Sequence, residues 1–352
     1  MLKEEDAERL LEILKKVANS ETSIVDDSPF SLLFYQSKGV NGAQLGDLYY
    51  KELLEKKILI RENQLVYATV RVGSFRGSYF MVDSPHIASR GGVKDFYSNK
   101  EGMYGYIADD GLMLLDYIIS KITEEKYQNG LDIGTGSGLI GISLLPWVNF
   151  VTGVDITEEA INWAKLNAKI NRADKYFSYV GDLYDSAKNR SPFDFIVSNP
   201  SYSFYPPEFI EKHQIQAHEV SGNYGLELVF KIIDGFAEHL SPNGRGFICT
   251  STPVIDGQEI LIDKIKERYS TCKYSFTIHY NFVQRIPEEF KKYYRGCGIN
   301  RLDLVFIDIC NGQEFSIKKT RSKLYFASYM RLPFKVPSKL KHWIMKKLLN
   351  NK

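Results

Sequence analysis

An α/β protein with a doubly wound, mainly parallel sheet is what this chain of 352 residues predicts. Three observations carry the prediction. From about Met103 the pattern alternates strand, helix, strand, helix. The strand-like runs are apolar and rich in branched residues, as in strands buried on both faces. Each of the first four also ends in small or polar residues, in LDIGTGSG, VDI, GDLYD and SNPSY. Open sheets bind ligands outside the carboxyl ends of their strands, so polar groups gathered there point to a site as well as a fold.

The first hundred residues read differently. Leu10, Leu11, Leu14 and Val17 recur at helical spacing within a helix over Leu2–Ala18. Two shorter helices follow near Pro29–Gln36 and Gly42–Leu54. The stretch KKILIRENQLVYATVRVGSFRGSYFMVD alternates as strands do, with Glu62-Asn63 as a turn. Helices followed by a β ribbon make a compact α+β accessory domain over residues 1–100. It reads as a lid or substrate-selecting cap. A winged-helix-like module is the alternative, although no basic recognition helix is evident.

The second domain spans 101–312. Asp110–Lys121 has an amphipathic helical pattern. NGLDI is the first strand, and Leu139–Leu145 opens a helix behind the glycine loop. FVTGVDI is the second strand. Thr157 is placed to cap a helix through Ile170, with Glu158 and Glu159 favourable against its dipole. KYFSYVGDL and FDFIVSN are two more strands. A helix over Leu226–Leu240 stops at Pro242-Asn243-Gly244. RGFICTST is the fifth strand and Asp256–Tyr269 a helix. CKYSFTIHYNF and RLDLVFIDIC complete the sheet as an antiparallel end.

Composition narrows the class. Hydrophobic residues make up 44% of the chain, enough for a proper core and against disorder. The net charge is +2, yet Phe315–Lys352 carries eleven Lys or Arg and no acid, which leaves the rest at −9. Residues 313–352 are therefore a basic extension, suited to nucleic acid, an anionic membrane surface or an acidic partner, or simply solvated against an acidic body. The four cysteines lack CxxC spacing, and the histidines lack HxxxH spacing, so no metal site is expected. A reduced, cytoplasmic setting fits. The charged amphipathic N-terminus is not a leader pattern, and no apolar run is long enough to span a membrane.

The chemistry concentrates in four pieces. Gly134, Gly136 and Gly138 form a tight loop that lets a ligand approach the backbone. Asp155 ends the second strand 23 residues after Asp132, where an acid accepts hydrogen bonds from ribose hydroxyls. Asp182 follows the third strand. Asn199-Pro200-Ser201-Tyr202 follows the fourth, and Phe204, Tyr205 and Phe209 come close behind. A glycine loop alone fits a dinucleotide, a phosphate or a plain turn. A nicotinamide dehydrogenase would leave the Asn-Pro-Ser-Tyr motif unexplained.

LDIGTGSGLIGISL, VDITEEAINWAKLNA and FDFIVSNPSY, in this order, resemble the class I S-adenosylmethionine-dependent methyltransferases. Within them the chain is similar to the small-domain group with an (N/D)PP(Y/F/W) motif, which methylates nitrogens of planar amides or exocyclic amines. HEVSGNYGLELVFKIIDGFAEHLSPNGRGFI is similar to the glutamine-methylating, HemK-like branch. The resemblance covers about Tyr104–Ile309 and implies a Rossmann-like, seven-stranded sheet. It implies cofactor contacts from Asp132, Gly134, Thr135, Gly136, Asp155, Ile156, Asp182, Leu183 and Asn199. Tyr104, Tyr106 and Asp109 would close over the methionine moiety.

The implied catalytic residues are Asn199, Pro200 and Tyr202. The Asn199 side-chain oxygen and the Pro200 carbonyl can accept from the two hydrogens of an NH₂ group, which orients its lone pair. Tyr202 would stack on the acceptor, with Ser201, Phe204, Tyr205 and Tyr106 around it. Ser201 stands where the motif carries a second proline, which loosens the loop and points away from strict glutamine methylation, towards a specialised acceptor such as a small amine or amide. His213, His218 or Glu219 could take a proton after transfer, or be plain surface residues. The acceptor is a small molecule, RNA or a protein side chain. Two other readings stay open: self-reaction of S-adenosylmethionine by cyclisation of its aminocarboxypropyl arm, and an RNA-binding protein with a methyltransferase fold and no catalysis.

Overall fold

The computed structural model describes residues 2–17, 28–35, 37–84, 109–122, 127–202, 204–213, 222–284, 286 and 288–321. The N-terminal unit opens with α1 (Glu4–Val17). Its first turn carries Glu4, Glu5 and Asp6 and its last turn Lys15 and Lys16, a distribution matched to the helix dipole. Ala7, Leu10, Leu11 and Leu14 are buried on one face. Arg9 donates to both carboxylate oxygens of Glu52 on α2 (Asp47–Glu55), and Lys56 pairs with Asp6. The expected helix over Gly42–Leu54 is two pieces. A short 3₁₀ turn, Gly42–Leu45, is held by Asn41 and Gln44 in a capping box before α2 begins.

The expected ribbon is two separate hairpins. β1 (Leu59–Glu62) pairs with β2 (Leu65–Ala68), and β3 (Val70–Phe75) pairs with β4 (Ser78–Asp83). Alternation along β4 splits its side chains between two cores. Met81 joins the N-terminal core, while Phe80 and Val82 enter the core beneath the main sheet. Each such fully buried side chain contributes about 1.5–3 kcal/mol. The unit is therefore seated on the body through β4.

The body is a sheet of nine strands among the described residues. In chain order they are β5 (Tyr127–Ile133), β6 (Val148–Asp155), β7 (Tyr176–Val180), β8 (Phe193–Ser198), β9 (Leu240–Ile255), β10 (Gln258–Glu259), β11 (Tyr274–Gln284), β12 (Ile299–Asn311) and β13 (Ser316–Arg321). The spatial order is β7-β6-β5-β8-β9-β12-β11-β13, with β10 folded back on β9. β5 to β9 run parallel, and β12 is antiparallel to both β9 and β11. The chain winds outward from β5 through β6 and β7, then returns to β8 on the other side. That switch point lies between the loops after β5 and β8.

Seven strands match the sequence reading, and β10 and β13 are additional. β13 comes from the basic extension and lies parallel to β11, so Ser316–Arg321 is part of the sheet. Residues 322–352 lie outside the described residues. β9 is longer than RGFICTST because Pro242-Asn243-Gly244 does not end a helix. It sits in the strand, where the β8 register jumps between Phe193 and Phe195, as in a bulge. The helix ahead of it is broken at Gly235 into α7 (Glu227–Asp234) and α8 (Phe236–His239). Asp256-Gly257 makes a turn into β10, and the next helix, α9, begins at Ile260 and runs to Tyr269.

Helices cover both faces. α3 (Asp109–Lys121), α4 (Leu139–Leu144) and part of α5 (Glu158–Ile170) pack over one, and α7 and α9 over the other. Thr157 precedes α5, but its side chain does not cap the helix: its hydroxyl donates to Asp155 instead. No helix among the described residues is long and apolar enough to cross a membrane.

Candidate active site

The apolar run of β5 ends at a loop whose glycines take left-handed backbone angles. Gly134 has φ +67°, and a Cβ built there would meet nothing within 4 Å. The space above it is open, as a cradle for a ligand must be. The loop is held from below. Gly134 and Thr135 donate backbone N–H groups to Val154 on β6. Asp132 is buried, and its Oδ2 accepts from the Thr135 hydroxyl at 2.6 Å and from Gly141 N at 2.9 Å. The Thr135 hydroxyl also lies 2.7 Å from that of Tyr176.

Asp132 therefore braces the loop from beneath. Burial raises its carboxyl from 3.8 to about 7 against the lowering effect of those two hydrogen bonds. Its Oδ1 is buried with no partner among the described residues.

Asp155 stands at the end of β6. Its Oδ2 accepts from Gly136 N at 3.0 Å, and its Oδ1 accepts from the Thr157 N–H and hydroxyl at 3.1 and 3.0 Å. A carboxylate offers roughly four acceptor positions, so these bonds fix the group without saturating it. Ile156 beside it is 51% exposed, a large apolar side chain left open next to the acid. Asp182 is exposed after β7, and Leu183, with φ 49°, leans on the core.

Gly134, Asp155, Ile156, Asp182, Leu183, Asn199, Pro200 and Ser201 line one cleft of about 410 Å³. Thr135 and Gly136 belong to the loop behind its wall. α7 adds Glu227, Leu228 and Lys231, which the sequence reading did not single out. Their placement depends on which face α7 turns to the cleft, and the local pattern signals only its buried face.

At the other end, the Ser198 hydroxyl donates to Ile133 O at 2.7 Å and ties the end of β8 to that of β5. Asn199 follows. Its Oδ1 is buried with no hydrogen-bond partner among the described residues. Gly111 on α3 leaves room for its amide, since a Cβ there would stand 3.3 Å from Asn199 Nδ2. Gly225, with φ +73°, packs under the motif, and a Cβ on it would collide with the Tyr202 carbonyl.

The aromatic residues depart from expectation. Tyr202 does not line this cleft: its ring packs against the core under α3, and its hydroxyl donates to Asp110. Burial pushes that hydroxyl well above its ordinary pKa, so it stays a donor. Phe204 stacks on Tyr294 at 5.5 Å and also meets Tyr293 and Tyr224. Tyr205 and Phe209, the latter on α6 (Pro207–His213), pack on Phe290. Phe290, Tyr293 and Tyr294 come from the segment between β11 and β12, which ends in α10 (Lys291–Gly296). The expected acceptor wall is thus the core of a small aromatic cluster.

Tyr104, Tyr106, His218 and Glu219 lie outside the described residues, as do the side chains of Asp109 and His213. His239 stacks on Tyr184 and His279 on Phe306, away from the cleft lining. Among the described residues no group of His, Cys, Asp and Glu could hold a metal ion.

The chain resembles known proteins over this region. Residues 98–214 match the methyltransferase small domain family. The chain is 37% identical over 127 residues to the release factor glutamine methyltransferase of Lactococcus lactis, covering 34% of this chain and 45% of that one. It is 30% identical over 152 residues to the enzyme of the same name from Rhodopirellula baltica, covering 41% and 51%. A putative protein N5-glutamine methyltransferase of Methanocaldococcus jannaschii is 30% identical over 161 residues, which is 45% of this chain and 77% of that protein. The chain spans about half the length of the bacterial relatives and most of the archaeal one. By that last match, the chain belongs to the class I S-adenosylmethionine-dependent methyltransferases, in the small-domain group that includes the glutamine N-methyltransferases.

Proposed function

We propose that this protein transfers a methyl group from S-adenosylmethionine to the side-chain amide nitrogen of a protein. The observation that carries the reading is the unpartnered Asn199 Oδ1, buried at the end of β8 and on the wall of the cleft. A buried acceptor without a donor costs about 1–3 kcal/mol, and an NH₂ group brought to it would relieve that cost.

The residues present fit the cofactor. Open space over Gly134 suits a ligand lying on the loop, Asp155 retains acceptor capacity for ribose hydroxyls, and Ile156 and Leu183 offer apolar surface to a flat base. When bound, S-adenosylmethionine supplies a methyl group already activated by its sulfonium. The protein's task is then positional. Asn199 Oδ1 accepts from the acceptor NH₂ and turns its lone pair inward, with the Pro200 carbonyl as second acceptor. An acceptor oxygen also favours the positive charge that grows on nitrogen during transfer. Proline at 200 holds the two acceptors in a fixed relation. Ser201 removes a second ring from the motif, and the packing of Tyr202 and Phe204 beside it holds the loop in its place.

The protein acceptor class is favoured by the relatives, which are named for glutamine methylation. The test uses methyl-labelled S-adenosylmethionine, the purified chain and cell extract divided into protein, RNA and small-molecule fractions. Label in protein, digested to a methylated side-chain amide, is the expected result. Label in RNA or a small molecule would overturn the acceptor class. Methylthioadenosine formed without extract would overturn methyl transfer in favour of self-reaction.

A further inference from the structure

Among the described residues β4 pairs as a strand only with β3, and its other edge meets α5. Two carboxamides take the place of a strand there. Asn167 Oδ1 accepts from Met81 N at 2.8 Å, and its Nδ2 donates to Met81 O at 2.9 Å. Asn171 does the same with Tyr79, at 2.9 Å and 2.6 Å. The spacing explains the match. Four residues of helix rise about 6 Å and two residues of strand about 6.8 Å, so amides at i and i+4 meet alternate residues of the strand.

The second N–H of each amide separates their roles. Asn171 turns it back to the Asn167 carbonyl, within α5. Asn167 gives it to Ser137 O, inside the glycine loop, at 2.9 Å. Asn167 is fully buried and Ser137 is 2% exposed, so water does not replace this bond. One side chain thus joins the N-terminal hairpin, α5 and the loop of the cleft.

We infer that Asn167 is a positioning residue, through which the N-terminal hairpin sets the shape of the glycine loop and the affinity for the cofactor. The inference rests on the cleft being the S-adenosylmethionine site. Removing the amide leaves the Ser137 carbonyl buried without its donor, and the loop must move to satisfy it. Asn171 supplies the control, because its loss weakens the same hairpin contact and leaves the loop untouched.

The experiment compares Asn167→Leu and Asn171→Leu with the wild type. Calorimetry gives affinity for S-adenosylhomocysteine, and the amide resonances of Gly134, Gly136 and Gly138 report the loop without ligand. Asn167→Leu should weaken binding by about tenfold and shift all three glycine resonances. Asn171→Leu should leave both close to wild type. Equal losses in the two variants would mean simple undocking of the hairpin and overturn the inference, as would unchanged affinity in Asn167→Leu.

A wild-type titration covers failure of a variant to fold. Added S-adenosylhomocysteine should shift the side-chain NH₂ resonances of Asn167 and leave those of Asn171 in place. Unmoved Asn167 signals on saturation would contradict the inference. Absence of binding by the wild type would instead remove the reading of the cleft, and the glycine resonances of Asn167→Leu would still decide the bridge.

Discussion

The two ends of the cleft are built on opposite principles. Beneath the glycine loop, Asp132, Thr135, Tyr176, Asp155 and Asn167 bond to one another or to the loop, and among the described residues one carboxylate oxygen of Asp132 stays without a partner. At the Asn-Pro-Ser-Tyr loop the neighbours are secured, by Ser198 to Ile133 and by Tyr202 to Asp110, while the side-chain amide oxygen of Asn199 has no partner among the described residues. A site for a cofactor that returns every cycle gains from a preformed loop. A site that must hold an incoming NH₂ group gains from an acceptor kept unsatisfied until it arrives. Under the proposed function, this difference would separate binding from chemistry along one cleft.

The largest effect expected from breaking this arrangement is structural. Phe290 is buried between Tyr205, Phe209 and Tyr294, and it supports the segment after the Asn-Pro-Ser-Tyr motif from far along the chain. Phe290→Ala should cost about 3–5 kcal/mol in denaturant unfolding, with cofactor affinity retained in the folded protein. An equal fall in cofactor affinity would show that the two ends are not separable. Asp155→Ala acts on the other end. It removes a charged acceptor and frees both Gly136 and Thr157, and S-adenosylhomocysteine binding should weaken by about tenfold to a hundredfold in calorimetry. Wild-type affinity in that variant would remove Asp155 from the site.

The third effect is a pH slope from Asp132, spread over several pH units. Burial moves its carboxyl from 3.8 to about 7 in the folded protein. Between these values the native state holds a proton that the unfolded chain has released. Its contribution is therefore complete below 3.8 and is lost as pH rises toward 7. Asp132→Asn should flatten this part of the stability–pH curve of the unliganded protein, measured by denaturant midpoints. An unaltered slope would show that Asp132 does not titrate there.

Much of this was legible in the sequence, for reasons that differ by residue. Gly134, Asp155, Asp182 and Asn199 could be placed because strand ends and turn chemistry are local signals, and parallel strands deliver their carboxyl ends to one edge. Thr157 misled because Asp155, two residues earlier, competes for its hydroxyl. Pro242-Asn243-Gly244 reads as a stop, yet the sheet accepts it as an irregularity in β9. Phe204 and Tyr205 looked available to a ligand because their partners arrive from far along the chain, Tyr294 ninety residues later. Glu227, Lys231 and Asn167 were not legible, since which face of a helix meets a loop is decided by tertiary packing.

The central claim is that Asn199 serves the chemistry while Asp155 and the glycine loop serve the cofactor. The most direct measurement sets wild type and Asn199→Ala side by side, with S-adenosylhomocysteine titration and labelled methyl transfer into the same extract. Unchanged affinity with transfer reduced at least about a hundredfold is the predicted result. Wild-type transfer by Asn199→Ala, or loss of transfer that merely follows a loss of affinity, would contradict it.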